Sequence, residues 1–253
     1  MLLSDRQAVE LFHLHALRIL ATGPDVKRLA LKGGCNLRFF FGSDRYSEDM
    51  DLDTFGISLH VLKAKVDRIL EGAPLRLGLR TRGIEVSNVS APKQTETTQR
   101  WKVELSVRGQ TLPLRTKLEF SRRQIAGDSE VEAVSQKLLA EYQVMPLLAP
   151  HYTQAEAIRQ KIWALIGRTA VQARDVFDLA VLFSKGGSLE QVLRPVRADI
   201  PKAIARAMEI SYPDFNSQVV AFLAPWAHDE YSNPPAWEGL QAMVVSGLQD
   251  GLR

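Results

Sequence analysis

The sequence predicts a mixed α/β (α+β) N-terminal domain over residues 1–150, a sheet with flanking helices, followed by a helical C-terminal domain over residues 151–253. Two segments alternate with the two-residue period of half-buried strands. In the first, Trp101, Val103, Leu105 and Val107 oppose Lys102, Glu104, Ser106 and Arg108. In the second, Leu114, Thr116, Leu118 and Phe120 oppose Arg115, Lys117, Glu119 and Ser121. After about Ala126 the pattern suits helices, broken at Pro146, Pro150, Pro195, Pro213, Pro225 and Pro234-Pro235.

The elements follow in order. Ser4 can cap a first helix carrying Leu11, Leu14 and Ile19, and Gly23-Pro24 ends it. Leu29 to Lys32 reads as a short strand, and Gly33-Gly34 turns the chain into a helical stretch from Asn36 to Phe41. Ser47 to Phe55 reads as extended, with Gly56 as its stop, and Leu59 to Leu70 as an amphipathic helix. Gly109-Gln110 supplies a turn between the two alternating strands. Helices are expected over 131–142, 154–168, 171–183, 189–192, 202–210 and 237–248. Trp101, Trp163, Trp226 and Trp237 are expected in the core, and the histidines at 13, 15, 60, 151 and 228 show no ligand spacing.

Composition narrows the function classes. At 253 residues, 45% hydrophobic and 24% charged, the chain has ordinary globular values and length enough for a sizeable core. No apolar run approaches a membrane span, and Asp5, Arg6 and Glu10 stand where a signal peptide needs apolar residues. Cys35 is the only cysteine, so no intrachain disulfide forms, and the expected compartment is the cytoplasm. The net charge of +3 is unevenly spread: residues 76–123 carry eleven Lys or Arg against four Glu, leaving −4 for the rest. Such a block suits a polyanion such as RNA, or a solvated sheet face.

Asp49, Asp51 and Asp53 stand at alternate positions, so on a strand they project to one side while Met50 and Leu52 enter the core. Like charges on one face call for compensation, and Mg²⁺ (or Mn²⁺) takes carboxylate oxygens while keeping positions for phosphates. A solvated edge strand is the plainer reading of the same residues. Glu119, mid-strand on a polar face, is the candidate third metal carboxylate; its alternative is a cross-strand ion pair with Lys102 or Arg115. Lys32-Gly33-Gly34 ahead of a helix forms an anion cradle from backbone N–H groups. No Gly-Lys-Ser/Thr follows, which excludes a Walker A loop. No Ser-His-Asp or Cys-His arrangement stands out.

Leu31-Lys32-Gly33-Gly34-Cys35-Asn36-Leu37-Arg38, followed by Arg45-Tyr46-Ser47-Glu48-Asp49-Met50-Asp51-Leu52-Asp53, resembles the AbiEii-type nucleotidyltransferase toxins, whose core is similar to that of DNA polymerase β. A second block, Lys161, Arg168 and then Arg174-Asp175-Val176-Phe177-Asp178-Leu179, resembles the same family. Cys35 and Asn36 depart from the family's usual small residue and Ala. The resemblance implies Asp49 and Asp51 as metal-binding catalytic carboxylates, with Gly33 and Gly34 near the triphosphate. It implies Lys161 as a contact to nucleotide phosphates, with Arg168 beside it, and Asp175 as a further site residue. Ser47 takes the family's serine position, a phosphate contact or modification site. Read physically, Lys161, Arg168 and Asp175 are seven apart and would share one side of a continuous helix, or form only a surface stripe.

The expected function is transfer of an NMP from an NTP to an RNA acceptor, in particular a tRNA 3′ end, by a toxin with a cognate antitoxin protein. Nucleotidylation of a protein or small molecule, and a catalytically silent RNA- or partner-binding module, are the alternatives.

Overall fold

The computed structural model describes residues 3–122 and 127–252; Arg123 of the basic block and Ala126 lie outside them. The chain separates into two compact units, residues 1–40 with 47–152 and residues 41–46 with 153–253.

The first unit begins with α1 (Asp5–Ala21), whose N-terminus is closed by a capping box between Ser4 and Gln7. Then come β1 (Leu29–Lys32), α2 (Gly33–Phe40), β2 (Met50–Thr54), α3 (Leu59–Glu71) and α4 (Ala73–Arg80). They are followed by β3 (Ile84–Gln94), β4 (Thr98–Val107), β5 (Leu114–Ser121), β6 (Ser129–Ala133), α5 (Gln136–Tyr142) and β7 (Leu148–Tyr152). The seven strands form one mixed sheet in the order β3-β4-β5-β2-β1-β7-β6. β2 runs parallel to β5 and β7 parallel to β1; the other neighbours are antiparallel.

The alternation in β4 and β5 emerges as expected: Trp101, Val103, Leu105, Leu118 and Phe120 are buried. They pack with Met50, Leu52, Phe12 and Leu14 in the core. Other expectations need correction. The stretch read as a helix from Val131 to Tyr142 divides into strand β6 and helix α5, which Ser135 caps by accepting from the Leu138 amide. β6 pairs with β7, and such remote pairing outweighs local propensity. Neither β3, β7 nor α4 stood out in the sequence.

The second unit contains α6 (Gln154–Gly167), α7 (Ala173–Phe183), α8 (Leu189–Leu193), α9 (Ile200–Met208), α10 (Tyr212–Gln218), α11 (His228–Tyr231) and α12 (Pro234–Asp250). The segment 41–46 belongs to it through backbone hydrogen bonds, from the Tyr46 amide to the Phe222 carbonyl (2.9 Å) and from the Ala224 amide to the Asp44 carbonyl (2.8 Å). Phe215 stacks on Trp237 at 4.6 Å. A Cβ at Gly247 of α12 would meet the Phe183 ring at 2.6 Å, so that glycine sets the close approach of α12 to α7. Trp101 and Trp237 are core residues as expected, but Trp163 and Trp226 are about half exposed. Trp163 follows Ile162 by one position and so points about 100° around the helix from the buried Ile162 and about 160° from the buried Leu165. Among the described residues no helix is long and apolar enough to cross a membrane.

Candidate active site

In the first unit a polar face of the sheet gathers the acids. Asp51 pairs in register with Lys32 on one side and Glu119 on the other; Asp53 pairs with Ser121. Paired residues project to the same side of a sheet, so Glu119 stands beside Asp51. Met50, Leu52 and Thr54 are buried on the opposite face. Asp49 immediately precedes β2 and binds Lys117 Nζ at 2.9 Å. Glu119 binds Arg100 Nε at 2.6 Å. That cation is Arg100, rather than the Lys102 or Arg115 considered from sequence; Arg115 pairs with Glu104 instead.

Asp51 has no ion pair among the described residues. Its carboxyl is pushed above the usual carboxylate range, first by burial and then by the charge of Asp49, with Glu119 adding and Lys32 and Lys117 opposing. Burial pulls Lys117 down, but Asp49, Asp51 and Glu119 hold it above its ordinary value.

The glycine turn lies against this carboxylate. Gly33 has φ +67°, a conformation that strains other residues, and a Cβ there would lie 3.3 Å from Asp51 Oδ2. Lys32 directs its ammonium to Asp53 and to Ser121 Oγ (2.9 Å), and the Tyr152 hydroxyl donates to Asp53 at 2.7 Å.

The loop ahead of β2 is pinned from behind. Ser47 Oγ donates to the Asp49 carbonyl (2.8 Å) and Thr116 Oγ1 to the Glu48 carbonyl (2.7 Å). Because the Thr116 hydroxyl proton is committed there, His13 Nε2–H donates to Thr116 Oγ1 at 2.8 Å. Burial lowers the His13 imidazole to about 3, so it is neutral near neutrality. Cys35 also reaches the Asp49 carbonyl (3.3 Å), and burial raises its thiol well above the usual value.

A cavity of about 330 Å³ adjoins Asp49 and is lined on its basic flank by Lys102, Arg115 and Lys117. Lys102 and Arg115 are exposed.

A buried charge cluster occupies the second unit. α6 ends at Gly167 and Arg168 is extended, so Lys161, Arg168 and Asp175 do not follow one continuous helix. They meet through the α6–α7 turn: Asp175 binds Lys161 Nζ (3.2 Å) and Arg168 Nε (2.8 Å). Arg45 and Asp178 also join the cluster; for Asp178 the sequence suggests only an i,i+4 pair with Arg174. Asp178 is fully buried and binds Lys161 (2.5 Å) and Arg45 (3.2 Å). Burial pushes Asp178 up, but Arg45 and Lys161 outweigh it and hold the carboxyl below its usual range.

Among the described residues, one trio of His, Cys, Asp or Glu has ligand atoms all within 4.8 Å of one another: Glu130, Glu132 and His151. The trio is not legible in the sequence, because local pattern reads 131–142 as helix and only the pairing of β6 with β7 brings Glu130 and Glu132 to His151. Asp49 and Glu119 are drawn instead to Lys117 and Arg100. The excess negative charge at Asp51 and the side-chain-free Gly33 against it suit a divalent cation.

Residues 15–250 match the family described as nucleotidyl transferase AbiEii toxin, type IV TA system. No curated protein matches the chain in sequence. Among solved structures, MenT4, a nucleotidyltransferase toxin from Mycobacterium tuberculosis H37Rv, is similar at TM-score 0.67 and 22% identity, over 97% of this chain and 84% of that one. JHP933 from Helicobacter pylori is similar at TM-score 0.63 and 20% identity, over 100% and 94%. A putative nucleotidyltransferase from H. pylori is similar at 0.60 and 19%, over 99% and 96%. At these identities the likeness shows the fold.

Proposed function

The chain belongs to the AbiEii nucleotidyltransferase toxin family of type IV toxin–antitoxin systems, and from that premise we propose that it moves an NMP from an NTP to an RNA acceptor, in particular a tRNA 3′ end. The supporting observation is Asp51: a buried carboxyl between Asp49 and Glu119, set against a glycine turn at a helix start. Asp49, Asp51 and Glu119 would hold Mg²⁺ or Mn²⁺. A bound divalent ion supplies charge neutralisation on the triphosphate and lowers the pKa of an attacking hydroxyl.

The chain's own groups do the positioning. The Gly33-Gly34 turn offers backbone N–H groups to phosphate oxygens. Ser47, Thr116 and Cys35 hold the Glu48–Asp49 backbone, which fixes where the Asp49 carboxylate starts. Lys161 and Arg168 are assigned to nucleotide phosphates, with Asp175 as the carboxylate that orients both. Lys32 is assigned a supporting role through Asp53. In the reaction the acceptor oxygen attacks the α-phosphorus, the α–β bridging bond breaks and pyrophosphate leaves. Lys102 and Arg115 beside the cavity at Asp49 support a phosphate-backbone acceptor. The family supports a cognate antitoxin as protein partner, and a lone cysteine supports placement in the cytoplasm.

The test is incubation of the full chain with each α-labelled NTP, Mg²⁺ and total tRNA. Label on tRNA is expected. Label on protein or a small molecule instead would redirect the acceptor, and RNA binding without any transfer would leave a silent binding module.

A further inference from the structure

Glu130, Glu132 and His151 stand apart from the acids just described. His151 pairs in register with Leu31, and Leu31 with Leu52, on the apolar face of the sheet; Asp51 pairs with Lys32 and Glu119 on the other. Glu130 lies opposite His151 in the antiparallel β6–β7 pair, and Glu132, two residues on, projects to the same side. His151 Nε2 is 3.5 Å from Glu132 Oε2 and 3.9 Å from Glu130 Oε1. The imidazole is fully buried, while both glutamates open to solvent.

A hydrogen-bond chain settles how the imidazole presents itself. The Asn36 amide nitrogen donates to the Tyr152 carbonyl at 3.0 Å, which turns its Oδ1 towards His151 Nδ1 at 2.9 Å. Nδ1 therefore carries a proton, and Nε2 faces the two carboxylates. Phe40 stacks on the ring at 3.6 Å with an interplanar angle of 4°, fixing its plane. An oriented imidazole, held at its far nitrogen by an outer amide and facing two oxygen donors, is the arrangement of a metal ligand with its supporting shell. We propose that Glu130, Glu132 and His151 form a second metal site, for a transition-metal dication of the Zn²⁺ class, which clasps edge strand β6 to β7.

The donor set argues for that class. One imidazole nitrogen and two carboxylate oxygens suit Zn²⁺, whereas Mg²⁺ prefers oxygen alone. The chief rival occupant is a proton, giving an imidazolium between two glutamates. A single proton on Nε2 can answer one carboxylate at a time, whereas a dication can be held by the imidazole and both glutamates at once.

The test uses the full chain stripped with EDTA and titrated with Zn²⁺ in excess Mg²⁺, so that oxygen-only sites are occupied. One equivalent of Zn²⁺ is expected to bind and raise the melting temperature, and Co²⁺ in its place should give visible ligand-field absorption. The exposed pair Glu130→Gln and Glu132→Gln should weaken Zn²⁺ by more than tenfold, with the metal-free melting temperature held. Asp51→Asn should leave Zn²⁺ binding as in the parent, which separates this site from the proposed catalytic one. Asn36→Asp probes the outer shell without touching a ligand. No Zn²⁺ uptake in excess Mg²⁺, or equal uptake by the double glutamine variant, would overturn the assignment and leave an imidazolium–glutamate pair.

Discussion

Two clusters in this chain are built from the same parts, aspartates and long cations, and reach opposite balances. In the first unit Asp49 has Lys117, Glu119 has Arg100, and Asp51 between them keeps no ion pair among the described residues. In the second, Asp175 and Asp178 share three cations, Lys161, Arg168 and Arg45. Burial pushes both Asp51 and Asp178 up; the neighbours decide the outcome, raising one and lowering the other. An acid surplus is a place for an added cation. A cation surplus is self-satisfied as a scaffold and still carries positive charge.

That contrast is broken most directly by Asp51→Asn. If the surplus negative charge is the working feature, nucleotide transfer should fall by about a thousandfold or more, since a lost metal carboxylate removes several kcal/mol of transition-state stabilisation. Circular dichroism and melting should be unchanged or slightly improved, because a buried charge is relieved. Activity near the parent's would remove Asp51 from the mechanism.

Asp178→Asn should show the reverse profile. It leaves Arg45 and Lys161 buried without their shared carboxylate, which costs about 3–5 kcal/mol in urea unfolding. A change under about 1 kcal/mol would mean that Asp175 alone can balance the cations.

The support behind Asp49 is sharpened by pH. His13 folds with a value near 3 against 6.5 as its ordinary value, so the unfolded chain takes up the proton first as pH falls. Its contribution is complete above about pH 6.5 and fades towards pH 3, with about 2 kcal/mol gone between pH 7 and pH 5. His13→Gln, which retains a donor for Thr116, should flatten that slope in urea titrations at the two pH values. An unchanged slope would show that other groups carry the acid sensitivity.

The smallest effect is expected at the basic flank. Lys102→Ala and Arg115→Ala should each weaken tRNA binding modestly and lower the salt dependence by about one phosphate contact, with stability changed by less than about 0.5 kcal/mol. Equal salt slopes in parent and variants would place the acceptor elsewhere.

Much of the acidic face was legible beforehand because it is written in short-range order. Alternation put Asp49, Asp51 and Asp53 on one side, and the Gly33-Gly34 pair marked a tight turn before a helix; β1 begins and ends where the apolar run does. Glu119 was legible as a polar-face residue of β5, but its partner Arg100 was not, because cross-strand register depends on how β4 and β5 align. The Lys161–Arg168–Asp175 grouping is legible through the motif resemblance, but its geometry is not: seven-residue spacing suggests one helix, whereas the turn after Gly167 brings the three together.

By itself the sequence determined the family, the alternating strands, the acid spacing and the glycine bend, since each depends on neighbours a few residues apart. Only the tertiary structure decided that residues 131–133 extend as an edge strand, that Asp178 serves Arg45 and Lys161, and that His151 faces Glu130 and Glu132. Those outcomes follow from strand pairing and burial between segments far apart in the chain, where local pattern exerts no force.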